Sequence, residues 1–408
     1  MGNHEYQKSQ TKPKKIFSSC LPLNHVFQFV FFVIGLCIGI TLSLYYKNLS
    51  FMFQTSTVFS SSPSPSAVLL PVPPPPPPPP PPSPSSAKHG VVETETTTNL
   101  MHNLEDKELF WRATLVPMVE EIPYNPAPKV AFLFLTKGPI PLAPIWELFF
   151  NGHEGLYSIY VHPHPSYNHS NTPQNSVFHG RRIPSKAVEW GRPTMIDAER
   201  RLLASALLDF TNLRFVLLSE TCIPLFNFTT IYNYLINARH SFTASGDDPR
   251  KEGRGRYNPE MSPSITISDW RKGSQWFEVN RKLAIGIVSD SKYYPVFEKH
   301  CSPPCYMDEH YIPTVINILA PEENSNRSVT WVDWSKIGPH PGRFGRSSVS
   351  VELVNQIRFG GNCSSYINSN GSSTSSICFL FARKFMPDTL QPLLQIALSV
   401  LLNSSFSL

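Results

Sequence analysis

The hydrophobic positions of the chain fall into three regimes. From Val26 to Tyr46, in "VFQFVFFVIGLCIGITLSLYY", 21 residues pass without a charge. As a helix that run is about 31 Å long, enough to cross a bilayer core. Lys8, Lys12, Lys14 and Lys15 precede it, and only Lys47 follows at once. The excess of positive charge ahead of the run places the short N-terminal tail in the cytosol and the rest of the chain across the membrane. The run exceeds a typical signal-peptide core and no small-residue cleavage site follows, which favours an uncleaved type II signal anchor over a cleaved leader. Next comes "SSSPSPSAVLLPVPPPPPPPPPPSPSSAKHG", whose prolines Pro73–Pro82 form a polyproline II rod about 31 Å long within a Ser-rich spacer. A hydroxyproline-rich wall segment or an SH3 ligand is the sharper alternative, and the lumenal side of the membrane argues against SH3. The partition is a tail at 1–25, an anchor at 26–46, a Pro/Ser-rich stem at 47–128 and a lumenal globular domain at 129–408.

From Lys129 the pattern alternates between strand-like and helix-like blocks. "KVAFLFLTKG" is a continuous apolar run closed by Gly, the signature of a parallel strand buried on both faces. "PLAPIWELFFNG" predicts a short helix and "LYSIYVHPH" a second strand. After "SVFHGRRI", the segment "TMIDAERRLLASALLDF" carries apolar residues at three- and four-residue spacing, and its Thr194-x-x-Asp197 start resembles a capping box. "LRFVLLSETCIPLF" is another buried strand, and "NFTTIYNYLINA" a helix. The β-α-β-β-α-β order predicts an α/β fold with helices on both faces of the sheet. Ligand groups then belong at the strand C-termini, Thr136–Lys137, His162–His164 and Glu220–Cys222. Beyond them come a charged Gly/Pro-rich loop, "ASGDDPRKEGRGRYNPEMSP", then "QWFEV", a helix from about Asn280, "VTWVDW", "ICFLFARKF" and a C-terminal helix from Pro387.

Composition changes this picture in two respects. The net charge of +5 over 408 residues comes with no basic run beyond the N-terminal tail, so nucleic acid is a poor partner. Seven N-x-S/T sequons, at Asn48, Asn168, Asn227, Asn326, Asn362, Asn370 and Asn403, agree with an oxidising lumen, where disulfides are the default for paired cysteines. Five cysteines lie beyond the anchor, namely Cys222, Cys301, Cys305, Cys363 and Cys378; an odd number leaves one free or bonded to a second copy in a homodimer.

Common catalytic signatures are absent: no G-x-S-x-G elbow, Walker A loop, G-x-G-x-x-G loop, H-E-x-x-H or D-x-D occurs. Without a D-x-D pair to hold a divalent cation against a diphosphate, leaving-group charge has to be met by Lys or Arg. The densest cluster of reactive residues is "KHCSPPCYMDEHYIP", Lys299 to Pro313. Its C-x3-C spacing has no matching second pair, so zinc is the weaker reading; in an oxidising lumen the two thiols form disulfides, with each other or with cysteines elsewhere. Asp308 reads as a helix N-cap, Glu309 projects from the helix start, and Pro313 implies an irregular first turn or a later start. By physics alone Glu309 is an ordinary acid at a positive helix end.

Taken in order, "VAFLFLTKGPIPLAPIWELFF", "YSIYVHPHPSY", "VEWGRPTMIDAERRLLASAL", "FVLLSETCIPLFNF", "DDPRKEGRGRYNPEM", "WRKGSQWFEVNRKLA", "YMDEHYIPTVI", "TWVDWS" and "CFLFARKF" resemble the plant branch of the core-2/I-branching β-1,6-N-acetylglucosaminyltransferase family, from Lys129 to Leu394. The resemblance implies a GT-A-like fold and a Golgi type II enzyme that inverts the anomeric centre without metal or other cofactor. Its donor is a UDP-sugar, by this family UDP-N-acetylglucosamine, and its acceptor a glycan or glycoprotein hydroxyl. The family's Pro-Asp-Glu base motif reads Met307-Asp308-Glu309, which gives Glu309 the role of general base. An Asn-Lys-Phe element that replaces the metal reads Arg383-Lys384-Phe385, making Lys384, with Arg383, the diphosphate ligand. Trp334 matches an aromatic after the catalytic helix; Thr136, Lys137 and His162 fall at the uridine pocket, His162 where the family has aspartate. The family arginine three residues before the cysteine matching Cys378 reads Ser375, so Arg358 or Arg383 has to compensate. Arg254, Arg256 and Tyr257 correspond to acceptor contacts, and Cys363 to the disulfide partner of Cys378. Asn168, Asn227, Asn326 and Asn362 are the candidate glycosylation sites. The rivals are a UDP-glucuronate-using relative and a non-catalytic, membrane-tethered glycan- or wall-binding protein.

Overall fold

A computed structural model describes residues 100–115, 126–167, 172–336, 338, 340–360 and 377–397. All of these belong to the compact unit Val92–Leu408. The unit Met1–Val91, with the expected anchor at 26–46 and the polyproline tract, lies outside the described residues. Among the described residues no helix is long and apolar enough to cross a membrane.

In chain order the first elements are α1 (Asp106–Thr114), β1 (Lys129–Leu135), α2 (Ala143–Phe150), β2 (Tyr157–His162), α3 (Pro193–Leu207), β3 (Asn212–Ser219), β4 (Ile223–Pro224) and α4 (Phe228–Ile236). They are followed by β5 (Glu278–Asn280), α5 (Arg281–Ser289), α6 (Tyr294–His300), α7 (Met307–Leu319), β6 (Thr330–Val332), α8 (Val351–Phe359), β7 (Phe381–Arg383) and α9 (Leu390–Ile396). The main sheet has the order β2-β1-β3-β5, parallel except for β5, which runs antiparallel to β3. A smaller sheet, β4-β7-β6, lies beyond the tip of β3. The segment "SVFHGRRI" contributes a single bridge to the sheet, between Val161 and Arg182.

The period-two geometry of a strand explains why β1 is apolar throughout. Val130, Phe132 and Phe134 point to one face and pack with Trp146 of α2 and Ile231 of α4. Ala131 and Leu133 point to the other and pack with Leu203 of α3, Ala284 of α5 and Val315 of α7. Both faces are covered, so a polar residue at either parity would be buried without a partner.

Two local expectations are corrected. α1 lies in the stretch assigned to the stem, yet its Leu109 and Ala113 are buried in the core. Arg201 of α3 donates two hydrogen bonds to the Asp106 carboxylate, at 2.8 and 2.9 Å. Burial pushes that carboxyl up, but the bonds from Arg201 and Lys186 outweigh it and hold it below the usual carboxylate range. The folded domain therefore begins ahead of Lys129. At α3 the Thr194–Asp197 capping box does not form. Pro193 opens the helix with Arg192 in extended conformation before it, the position proline favours because its missing N–H would have no helical partner there. Thr194 Oγ1 instead accepts from the Glu189 N–H at 3.0 Å, and Asp197 accepts from the Tyr294 hydroxyl.

Candidate active site

A cavity of about 710 Å³ opens at the C-terminal ends of β1, β2 and β3. Thr136 and Lys137 reach it from β1, His162 from β2 and Glu220 from β3, opposite Asp308 and Glu309 of α7 and Arg383–Lys384 at the end of β7. Where parallel strands end, backbone and side chains diverge and leave a crevice, so this is where the topology predicts a site.

One wall is built on α7. Its N-cap is Tyr306, not Asp308, and the helix runs unbroken through Pro313. A proline there removes the N–H that would bond the Glu309 carbonyl four residues back. That carbonyl instead accepts from the Gly273 N–H at 2.8 Å. The close approach requires glycine: a Cβ on Gly273 would sit 1.8 Å from the Ala244 carbonyl oxygen and 2.7 Å from Pro313 Cγ. Pro313 and Gly273 thus dock the segment 272–276 onto the helix start and bring Lys272 to the Glu309 carboxylate.

Glu309 Oε2 receives Arg256 Nη1 at 2.5 Å and Lys272 Nζ at 3.4 Å. Both cations lie on one oxygen. Its neighbour Asp308 is buried, and burial followed by the Glu309 charge pushes its carboxyl up to about 6. Asp308 Oδ1 has no hydrogen-bond partner among the described residues. Behind it Glu199 is fully buried, accepts from Gln275 Nε2 at 2.9 Å, and is held neutral because burial raises its carboxyl well above the usual range. His310 is neutral as well: burial pushes it down to about 4, and its Nδ1–H donates to the Arg271 carbonyl at 2.8 Å.

The opposite wall is cationic. Phe385 N–H donates to Thr221 O at 3.0 Å, and Phe344 N–H donates to Lys384 O at 2.9 Å. These bonds set Lys384 beside the tip of β3 and bring Arg343 to it. Burial, then the Arg383 and Arg343 charges, push the Lys384 ammonium below the ordinary lysine range, and Lys137 adds to the effect. Arg383 lies 3.9 Å over the Trp276 ring, and its Nε has no hydrogen-bond partner among the described residues. None of the ion pairs among the described residues involves Lys137, Arg343, Arg383 or Lys384. Glu220 offsets part of their charge. Four cations gathered without ion-paired carboxylates repel one another, so the wall is built for an anion. Among the described residues no group of three or more His, Cys, Asp or Glu is placed to hold a metal ion.

Residues 130–358 match the Core-2/I-Branching enzyme family. The chain is also 36% identical over 309 residues to glycosyltransferase BC10 of Oryza sativa subsp. japonica, which covers 65% of this chain and 76% of that protein. The chain belongs to the Core-2/I-branching enzyme family. It is accordingly a glycosyltransferase, which sets aside the non-catalytic alternative.

Within this family member, the fold brings Glu309, Lys384, Arg383, Trp334, Thr136, Lys137 and His162 to the one cavity. His162 is pushed down to about 4 by burial and then by Arg201, so it is neutral. The Lys186 N–H points at its Nε2 at 3.4 Å, which puts the proton on Nδ1, a donor without a partner among the described residues. Arg358 is not brought to the site: it is buried on α8 with its guanidinium over Phe226 and Phe359. Arg254 is turned away, its two nitrogens bonded to Asp247 at 2.7 and 2.6 Å. Tyr257 packs edge-on against Trp270 and donates to the Ile265 carbonyl at 2.8 Å. Of the basic loop only Arg256 turns inward. Cys301 and Cys305 are bonded to each other with a Cα separation of 5.1 Å, and His300 Nδ1 lies 3.1 Å from Glu260, so the cluster that could have read as zinc ligands is otherwise engaged. Cys378 is disulfide-bonded, while Cys363, Ser375, Asn168 and Asn362 lie outside the described residues. Asn227 caps α4 by accepting from the Thr230 N–H, and Asn326 is exposed at φ 56°. Sequence reasoning missed Trp190, Lys272, Arg343 and the Gly273–Pro313 docking; the signal for the last was a proline in a helix that nevertheless had to continue.

Proposed function

We propose that the protein is an inverting glycosyltransferase of GT-A-like fold that moves a sugar, N-acetylglucosamine by family, from a UDP-sugar to a hydroxyl of a glycan acceptor without a metal. The observation that carries this is the facing of Lys137, Arg343, Arg383 and Lys384, which have no ion-pair partner among the described residues, with the cation-held Glu309 carboxylate across one cavity. The acceptor oxygen attacks C1 from the side opposite the diphosphate. Its proton passes to Glu309, whose Oε1 is left open because Arg256 and Lys272 occupy Oε2. As the C1–O bond to the donor breaks, the charge that grows on the diphosphate is met by Lys384 and Arg383, already in place and partly desolvated. Neutral His162, donating from Nδ1, offers the pyrimidine a hydrogen bond. The same reading sets the chain in the Golgi membrane through 26–46 with the domain lumenal, and the Cys301–Cys305 disulfide supports an oxidising compartment.

The test is a donor screen on the full-length protein, including UDP-N-acetylglucosamine and UDP-glucuronate, read as UDP release and as thermal protection. UDP alone should protect in the presence of chelator. Lys384→Ala should weaken UDP binding roughly 10- to 100-fold, the worth of a charge-assisted hydrogen bond of about 1.5–3 kcal/mol. No protection by UDP or by any UDP-sugar would sink the proposal, and protection that returns only with Mn²⁺ would sink its metal-free part.

A further inference from the structure

Trp190 lies in the connection between β2 and α3 and lines the cavity with half of its surface exposed, 50%. Single exposed aromatics are ordinary on protein surfaces. This one is distinguished by how firmly it is held. Its indole stacks on the Tyr306 ring with centroids 4.6 Å apart and planes 29° apart. Gly191 makes that contact possible: it sits at φ 76°, and a Cβ there would meet Tyr306 Cδ1 at 2.6 Å. The turn is closed by the Glu189 N–H bonding Thr194 and by the Arg192 N–H bonding the Glu189 carbonyl at 3.2 Å. Tyr306 in turn follows directly on the loop closed by the Cys301–Cys305 disulfide.

The platform is also wired to the catalytic side. The Arg256 guanidinium lies 4.7 Å over the Tyr306 ring while it donates to Glu309. Trp190, Tyr306, Arg256 and Glu309 thus form one continuous contact chain. A rigid indole half open to a polar cavity suits a ligand with one apolar face and hydroxyls at its edge. A pyranose ring meets that description: its C–H face carries slight positive charge, complementary to the negative face of an aromatic ring.

Building on the glycosyltransferase reading of the cavity, we propose that Trp190, backed by Tyr306, is the platform on which a neutral pyranose of the acceptor glycan stacks, which sets its hydroxyl toward Glu309. Trp190 is a binding residue and takes no part in proton transfer.

The experiment uses the full-length protein with p-nitrophenyl β-galactopyranoside, β-glucopyranoside and β-xylopyranoside as acceptor probes and the best donor from the screen. Trp190→Ala should raise KM for the preferred pyranoside about tenfold, the scale of a lost aromatic contact. Its donor KM and thermal protection by UDP should stay within about twofold, and Trp190→Phe should restore most of the acceptor affinity. An unchanged acceptor KM, or a loss that falls on UDP instead, overturns the platform and gives the indole to the donor. Wild-type protein that is protected by UDP yet neither binds nor glycosylates any of the three pyranosides also overturns it and leaves the transferase reading standing; loss of UDP binding altogether is failure of that reading instead.

Discussion

The two walls of the cavity handle charge in opposite ways. On the α7 wall Glu309 is held by Arg256 and Lys272, Glu199 is kept neutral by burial, and the buried Asp308 carboxyl is raised to about 6. On the β7 wall Lys384 and Arg383 have no carboxylate in ion-pair contact among the described residues and feel each other's repulsion. A paired charge is already oriented and needs nothing more from a ligand, whereas an unpaired cluster gains its stabilisation only when an anion arrives. The first wall is organised before substrate binds, and the second is completed by it. Substitutions on the two should therefore fail differently, the first in turnover or stability and the second in donor affinity.

The sharpest division comes from Glu309→Gln. A general base contributes about 10²–10⁴ in rate, so kcat in a UDP-release assay should fall by roughly 10³. UDP affinity, measured by thermal protection, should stay within about threefold, since the lost charge lies on the other wall. Turnover within about tenfold of wild type would remove Glu309 from the role of base.

Asp308 tests the same wall through stability. Its carboxyl is raised to about 6 in the folded protein against 3.8 as the ordinary value, so the folded state binds the proton more tightly. The contribution to stability is whole below about pH 3.8, declines as pH rises, and is gone once pH has passed through about 6. A shift of about two units corresponds to about 3 kcal/mol. Urea unfolding of wild type and Asp308→Asn across this range should show the wild type losing about 3 kcal/mol relative to the variant. A difference that stays flat with pH would mean Asp308 is charged in the folded protein at all of these values.

How much of this was legible in sequence depends on whether a residue's role is set by its neighbours in the chain or across the fold. β1, β2 and β3 are continuous apolar runs buried on both faces, and they were readable because that burial leaves no freedom of composition. Glu309 was readable only through the order of motifs around it; its helix start alone marks an ordinary acid. Pro313 misled, because the orphaned Glu309 carbonyl accepts from the N–H of Gly273, 36 residues upstream of Glu309 and invisible to local rules. Arg254 and Arg256 lie in one turn of 3₁₀ helix and point to different acids, Asp247 and Glu309, a direction that spacing does not encode. α1 was hidden for another reason: its single buried leucine and alanine make a weak signal inside a stretch dominated by its Pro/Ser-rich start.

The smallest expected effect separates members of the cationic wall itself. Lys137 and Arg343 are exposed at the rim, whereas Lys384 and Arg383 are partly buried. Exposed charges steer an approaching anion, and salt screens them within about 10 Å. Buried ones hold the anion after docking, and screening reaches them less. Replacing both rim residues, Lys137→Met with Arg343→Met, should slow UDP association about three- to fivefold in dilute buffer and hardly at all near 0.3 M salt. UDP dissociation should be unchanged in either buffer, in contrast to Lys384→Ala, where the loss appears in the dissociation rate. Stopped-flow binding at the two salt concentrations resolves both rates. Faster dissociation from the rim variant would show that all four cations grip the diphosphate together, and the division between steering and holding would then have to be redrawn as a single clamp.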